Sequence, residues 1–212
     1  MRLKVAKYAA VIILVLLTSG CLSVGDSPAP RFYTLNAPGS EAIKQFDLAC
    51  ELIIGIGPVE IPEFQNRPQM VTKNKEGMLK FAQFERWGEA LDAGLARTIV
   101  ENLTLMLPQA DFQILPCNFV IPLNYQVLLN FVQLDSQLDK EILLVVQWTI
   151  IDTKAKAMLI TKRSQIHQPI QIHNYAGLAR ALSSATTILS EEIAQNLSNV
   201  SLQSGIKDAA NK

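Results

Sequence analysis

Glu141-Ile142-Leu143-Leu144-Val145-Val146-Gln147-Trp148-Thr149-Ile150-Ile151 is apolar except at Glu141, Gln147 and Thr149. A short run rich in β-branched and aromatic residues reads as a strand. Its near-continuous apolar character predicts a central strand covered on both faces. The neighbouring segments agree. Asn124 to Leu134 places Tyr125, Val127, Leu129 and Phe131 on one alternating face, and Met158 to Gln168 becomes polar toward its end. The connections, Asp135 to Lys140 and Asp152 to Lys156, are short and polar, which predicts an antiparallel meander of three strands.

Helical periods stand on either side of the meander. Over Glu89–Leu107, Leu91, Leu95, Ile99, Leu103 and Met106 recur at spacings of four and three, one apolar stripe. Glu89 and Asp92 sit at the positive N-terminal end of this helix, and Pro108 stops it. Asn174 offers an N-cap to a second helix, Tyr175 to Leu197, striped by Leu178, Leu182, Ala185, Leu189, Ile193 and Leu197. Before the first helix, Arg31–Leu35 and Glu51–Ile61 read as strands. Gln69–Lys73 and Met78–Phe84 form a hairpin across Asn74-Lys75-Glu76-Gly77, with Gly77 in the left-handed position. Phe112 to Leu115 is a further short strand. The order predicts an α+β domain, a two-layer sandwich in which a largely antiparallel sheet is packed by two amphipathic helices.

The N-terminus has a different character. Met1 to Lys7 carries Arg2, Lys4 and Lys7. An uncharged, mostly apolar run from Tyr8 to Leu17 follows, closing on Leu17-Thr18-Ser19-Gly20-Cys21. A basic head, a short apolar stretch and small residues at its end make an export signal; the stretch is too short to span a bilayer, which takes about 20 residues. The closing segment resembles the lipobox of bacterial lipoproteins, with Thr18 where that motif usually has Leu. The resemblance implies a lipid on Cys21 and cleavage just before it. Leu22, rather than Asp, follows the Cys, which by the same resemblance directs the protein to the outer membrane. The chain therefore divides into a signal (1–20), an anchor and tether (21–30, with Pro28 and Pro30), a domain (31–200) and a polar, frayed tail (201–212).

The whole chain balances 19 basic against 19 acidic residues. Without Arg2, Lys4 and Lys7 the acidic residues lead, which argues against a nucleic-acid partner and against a polybasic membrane patch. Apart from Cys21 there are only Cys50 and Cys117. In an oxidising compartment they can pair; equally, each can be a small buried hydrophobe. No nucleophile elbow or phosphate-binding loop is present. His167 and His173 lack a third ligand at a telling spacing, and Glu60 and Glu63 read as solvated loop carboxylates. The expectation is a protein that is not an enzyme, has no metal, and has no cofactor other than the lipid on Cys21.

One stretch is unusually patterned: Gly55-Ile56-Gly57-Pro58-Val59-Glu60-Ile61-Pro62-Glu63-Phe64-Gln65-Asn66-Arg67-Pro68-Gln69-Met70-Val71, followed later by Phe84-Glu85-Arg86-Trp87-Gly88-Glu89-Ala90-Leu91. Its prolines stiffen the loop Pro58–Gln69 and lower the cost of ordering it on a partner. Arg and Trp are the residue types enriched at binding hot spots. Pro58, Glu60, Pro62, Phe64, Arg67, Pro68, Arg86 and Trp87 are therefore candidates either for partner binding or for clamping the fold. Arg67 and Arg86 are expected to pair with Glu60, Glu63, Glu85 or Glu89, and Trp87 to cover the edge of the core.

This pattern, with Arg31-Phe32-Tyr33-Thr34-Leu35 upstream, resembles the ABC-type transport auxiliary lipoproteins, the PqiC-like group, over nearly the whole chain beyond the signal. Cys117-Asn118 departs from it where an aromatic is expected. The resemblance implies an outer-membrane-anchored periplasmic lipoprotein that docks the periplasmic MCE-domain protein of an ABC lipid (phospholipid) transporter and maintains the envelope. It also implies a possible homo-oligomer. A periplasmic lipid-binding carrier is the alternative.

Overall fold

In a computed structural model, residues 28–38, 43–118 and 121–210 are described, with side chains to residue 206. The signal, Cys21 and most of the tether lie outside the described residues.

The chain runs β1 (Arg31–Tyr33), β2 (Leu52–Glu60), a short 3-10 turn (Glu63–Gln65), β3 (Gln69–Lys73), β4 (Leu79–Trp87), α1 (Leu91–Met106), β5 (Ala110–Ile114), β6 (Tyr125–Ser136), β7 (Glu141–Asp152), β8 (Ala157–Pro169) and α2 (Tyr175–Ala210). The strands form two sheets rather than the single expected one. The main sheet has the order β5-β2-β6-β7-β8, and a small one has the order β1-β4-β3. Most of the pairing is antiparallel: β6–β7–β8 is the predicted meander, and β3–β4 the predicted hairpin. The pairs β1–β4, β2–β5 and β2–β6 are parallel; for β5, α1 carries the chain back across the sheet before the strand begins.

Both helical stripes are buried as the spacing predicts. Leu91, Leu95, Ile99, Leu103 and Met106 of α1, and Leu178, Leu182, Ala185, Leu189, Ile193 and Leu197 of α2, join one cluster with Ile54, Val127, Phe131, Ile142, Val146 and Trp148 of the main sheet. Asn174 caps α2, its Oδ1 accepting from the Gly177 amide at 2.8 Å. The expectation for the tail is corrected: α2 continues to Ala210, with Ser198, Val200 and Ser201 buried. Ser201 Oγ accepts from the Ala49 amide, and Ser198 Oγ donates to Asp47 O, so these polar residues fasten the segment before β2.

The apolar run of β7 is corrected on one point. It is flanked by β6 and β8, but its second face is covered only in part: Val145 is buried there, at 4% exposure, beside the end of β6 where Asp135 binds Lys73. Ile142, Leu144, Val146, Trp148 and Ile150 face the helices, whereas Gln147 on the other face is exposed and its neighbours Asn130 of β6 and Arg163 of β8 are exposed too. Residues such as Leu143 and Ile151 stay half-buried there because cross-strand neighbours shield them.

Cys50 is an exposed free thiol. Cys50 precedes the start of β2 and Cys117 follows the end of β5, and these strands are parallel with Leu52 opposite Ala110 and Ile56 opposite Ile114. Six residues of strand, about 20 Å, separate Cys50 from the level where β5 ends, against the Cα separation under about 7 Å that a disulfide requires. The two are not bonded to each other.

Candidate docking site

Two glycines shape the motif from within. A Cβ on Gly55 would lie 2.6 Å from Leu115 Cδ1. Gly57 has φ +118°, and a Cβ there would lie 2.4 Å from the Leu115 carbonyl oxygen. The segment after β5 packs directly on this backbone, its Leu115 amide donating to Ile56 O at 2.8 Å. The register of β2 on β6 shifts between Ile56 and Val59, which turns Pro58 and Glu60 outward. They line a cleft of about 220 Å³ on the open face of the main sheet, with Leu128, Asn130, Gln147 and Thr149.

Beyond β2 the chain makes one 3-10 turn, and its Gln65 is buried, donating from Nε2 to Leu134 O at 2.8 Å. This bond ties the loop to β6. Pro62 and Phe64 lie half-buried around it, and Glu63 is exposed. Next, Pro68 O accepts from the Trp87 amide, and Tyr33 O accepts from the Gly88 amide, both at 2.8 Å. Together these contacts bring Asn66, Arg67 and Pro68 against Trp87, Gly88, Glu89 and Ala90, which enclose a cleft of about 340 Å³. The Arg67 guanidinium stacks on the ring of Phe81 at 4.4 Å, leaving Phe81 46% exposed.

The expected ion pairs are corrected. Arg67 meets an aromatic face instead of a carboxylate, an arrangement worth about 0.5–1 kcal/mol at an exposed site. Glu85 pairs with Arg31, and Glu89 pairs with Arg97 at 2.6 Å. Burial accounts for the difference: Glu85 is 8% exposed beside β1, whose register places Arg31 opposite it. Arg86 Nε and Trp87 Nε1 are buried and find no acceptor among the described residues. Trp87 covers the core as expected, at 6% exposure, while also walling the cleft.

The eight candidates thus divide. Arg67, Pro68 and Trp87 form one cleft, with Arg86 next to Trp87 in sequence; Pro58 and Glu60 form another on a different face; Pro62 and Phe64 brace the loop between. Sequence reasoning missed Phe81 and Arg97. Arg97 Nη2 donates to Leu35 O at 2.9 Å and to Glu89, and Nη1 donates to Glu101 at 2.7 Å. The hydrogen bond to Glu89 raises the Arg97 pKa above its ordinary value, against the lowering effect of burial. The one legible signal was the Arg97–Glu101 spacing of four on a helix. Arg97→Ala is expected to cost about 1–2 kcal/mol after allowance for its part exposure, and Arg97→Lys to recover only part of that because Lys lacks the planar fork. Urea midpoints of the three proteins check this.

His167 stands on the open sheet face, with Nδ1 3.3 Å from Glu141 Oε2, and His173 lies in the loop before α2. Among the described residues no three His, Cys, Asp or Glu gather as a metal site.

Residues 33–194 match the model of the ABC-type transport auxiliary lipoprotein component family. The chain belongs to that family. Among curated proteins no sequence matches it. The auxiliary lipoprotein is similar in fold to a crystal structure of an uncharacterised protein, with a TM-score of 0.66, 15% identity, and coverage of 81% of this chain and 100% of that one. It is also similar to protein XCC0632 from Xanthomonas campestris, with a TM-score of 0.64, 8% identity, and coverage of 86% and 99%. At such identities these likenesses show the fold alone. Family membership makes the protein an envelope-anchored auxiliary subunit of an ABC-type transport system and implies a non-catalytic role.

Proposed function

We propose that this auxiliary lipoprotein is the docking subunit of an MCE-type lipid transport system. Acylated Cys21 holds it on the periplasmic side of the outer membrane, and the Arg67–Trp87 cleft receives the periplasmic MCE protein. The observation that carries the reading is the construction of that cleft. A proline-stiffened loop, pinned through Gln65 to β6, presents Arg67, stacked on Phe81, at a cleft walled by Trp87. Preorganised aromatic and arginine groups are what an interface centre needs. As the resemblance implies, further copies of the chain assemble beside it.

The carrier reading requires unfilled apolar space between the main sheet and the helices. That layer holds Phe131, Trp148, Leu182, Leu189 and Ile193, each at most 1% exposed, which favours docking over carriage.

A photocrosslinking amino acid placed at Phe81 in cells is expected to capture the MCE partner, and one at Met158 is not. Capture at Met158 alone would move the interface to another face. Arg67→Ala is expected to lower that capture while costing only about 0.5–1 kcal/mol of stability, the worth of its stacking on Phe81. Trp87→Ala is expected to cost about 3–5 kcal/mol by truncating a buried ring, so loss of docking in that variant alone would speak to the fold and not to the interface.

A further inference from the structure

The path by which the tether enters the domain sets the direction from which its anchor approaches. β1 runs parallel to β4, with Arg31 beside Glu85 and Tyr33 beside Trp87. A chain entering β1 therefore arrives from the side of β4's beginning, which is the tip of the β3–β4 hairpin. The β3 ladder measures the distance: Gln69 lies opposite Arg86 and Lys73 opposite Leu79, so the hairpin end stands about 13 Å from Arg86, four residues at strand rise. Arg31 is the tenth residue after Cys21, a covalent reach of up to about 35 Å. The anchor reaches the hairpin tip and beyond it.

Three turns meet at that end. The tip itself, Asn74 to Met78, stands beside the β6–β7 turn, which supplies Leu138 and Asp139, and the loop after β8, which supplies His173. They surround a cleft of about 370 Å³ that also touches Lys73, Lys80 and Tyr175. Met78 is 67% exposed, a large apolar side chain offered to solvent on the side from which the tether arrives, and Ile172, 54% exposed, precedes His173 in the loop after β8. Lys73 is bound to Asp135 at 2.8 Å, and Lys140 is bound to Glu141; Lys75 and Lys80 are matched in number by Glu76 and Asp139. The charges balance, so nothing here resembles a polybasic patch. The lysine stems can lie along apolar surface with their ammonium groups among phosphates.

We infer that this end is a second membrane contact: the hairpin tip, led by Met78, rests in the headgroup layer of the phospholipid bilayer that the Cys21 lipid enters. The occupant is a bilayer surface, not a soluble anion, because the anchor brings it within reach and the local charge does not select anions. The contact orients the domain. The small sheet stands tip-down, and the Arg67–Trp87 cleft, at the other end of β4, points away from the membrane. The inference rests on acylation of Cys21.

The test uses the full-length acylated protein in vesicles of phosphatylethanolamine and phosphatidylglycerol with brominated acyl chains, which quench nearby indoles. Met78→Trp is compared with Met158→Trp, both at exposed methionines; Met158 lies beside the β7–β8 turn at the opposite end of the main sheet. The buried Trp87 and Trp148 supply the same background in each. The Met78→Trp reporter is expected to lose about half of its added emission, as for a side chain in the outer 5–10 Å of the bilayer. The Met158→Trp reporter is expected to lose none. The same result is expected in vesicles of phosphatidylethanolamine alone. Protein that floats with the vesicles while Met78→Trp stays unquenched, or is quenched no more than Met158→Trp, overturns the inference and leaves the anchor standing. Protein that does not float overturns both.

Discussion

Gly57→Ala is expected to lower stability by about 3 kcal/mol or more, the combined cost of strained backbone and a blocked contact. At φ +118° an L-residue is strained whatever surrounds it, and here the surroundings are a backbone carbonyl. The new methyl would sit 2.4 Å from Leu115 O and 3.3 Å from its carbon. Relief would require moving the segment after β5, whose Leu115 amide is bonded to Ile56 O. For a domain of this size the loss corresponds to a melting temperature lower by roughly 10 °C. Gly77→Ala is the control. Gly77 also has positive φ, +87°, but the nearest atom to a Cβ there is Lys73 Cε at 4.0 Å. Only the local strain remains, about 1 kcal/mol. Thermal melts of both variants check the pair, and equal losses would contradict this account of Gly57.

Trp148→Ala is expected to cost about 3–5 kcal/mol. Trp148 is 1% exposed on the covered face of β7 and among the largest side chains fully enclosed in the core. Its indole Nε1 donates to Ser164 Oγ at 2.9 Å, and Ser164 in turn donates to Glu192 of α2. Truncation opens a cavity between sheet and helix and removes the donor from this chain. Ser164→Ala isolates the polar part. It leaves the buried indole without its acceptor and is expected to cost about 1–3 kcal/mol. Chemical denaturation of the two variants separates packing from hydrogen bonding. A Trp148→Ala loss no larger than that of Ser164→Ala would mean that the core is not filled as described.

The parts of the fold that were legible in sequence are those set by local period. The two helical stripes, the meander, the Gly77 hairpin and the Asn174 cap each follow from spacing within one segment. Three features required tertiary knowledge. The apolar side chains of β7 do not reveal that the outer face is covered at Val145 and open at Gln147, because Leu143 and Ile151 read the same whether a second layer or a glutamine lies beside them. The small sheet depends on β1 finding β4 some fifty residues later. The extension of α2 past Leu197 depends on Ser198 and Ser201 reaching Asp47 and Ala49 across the fold, which made a polar segment look like a frayed tail. At the site, the motif pointed to Arg67, Pro68 and Trp87. Phe81 was invisible because the hairpin, not the motif, delivers it, and the Arg pairings were misassigned because Arg31 and Arg97 reach the acids first.

The central claim is that this auxiliary lipoprotein docks an MCE-type lipid transporter. The most direct measurement is an affinity pull-down of the full-length protein from crosslinked cells, with Cys21→Ala as control, read by mass spectrometry. The account predicts recovery of an MCE-domain protein with its ABC transporter, reduced when Cys21 is replaced. Recovery of the lipoprotein alone, or with unrelated envelope proteins, would contradict it.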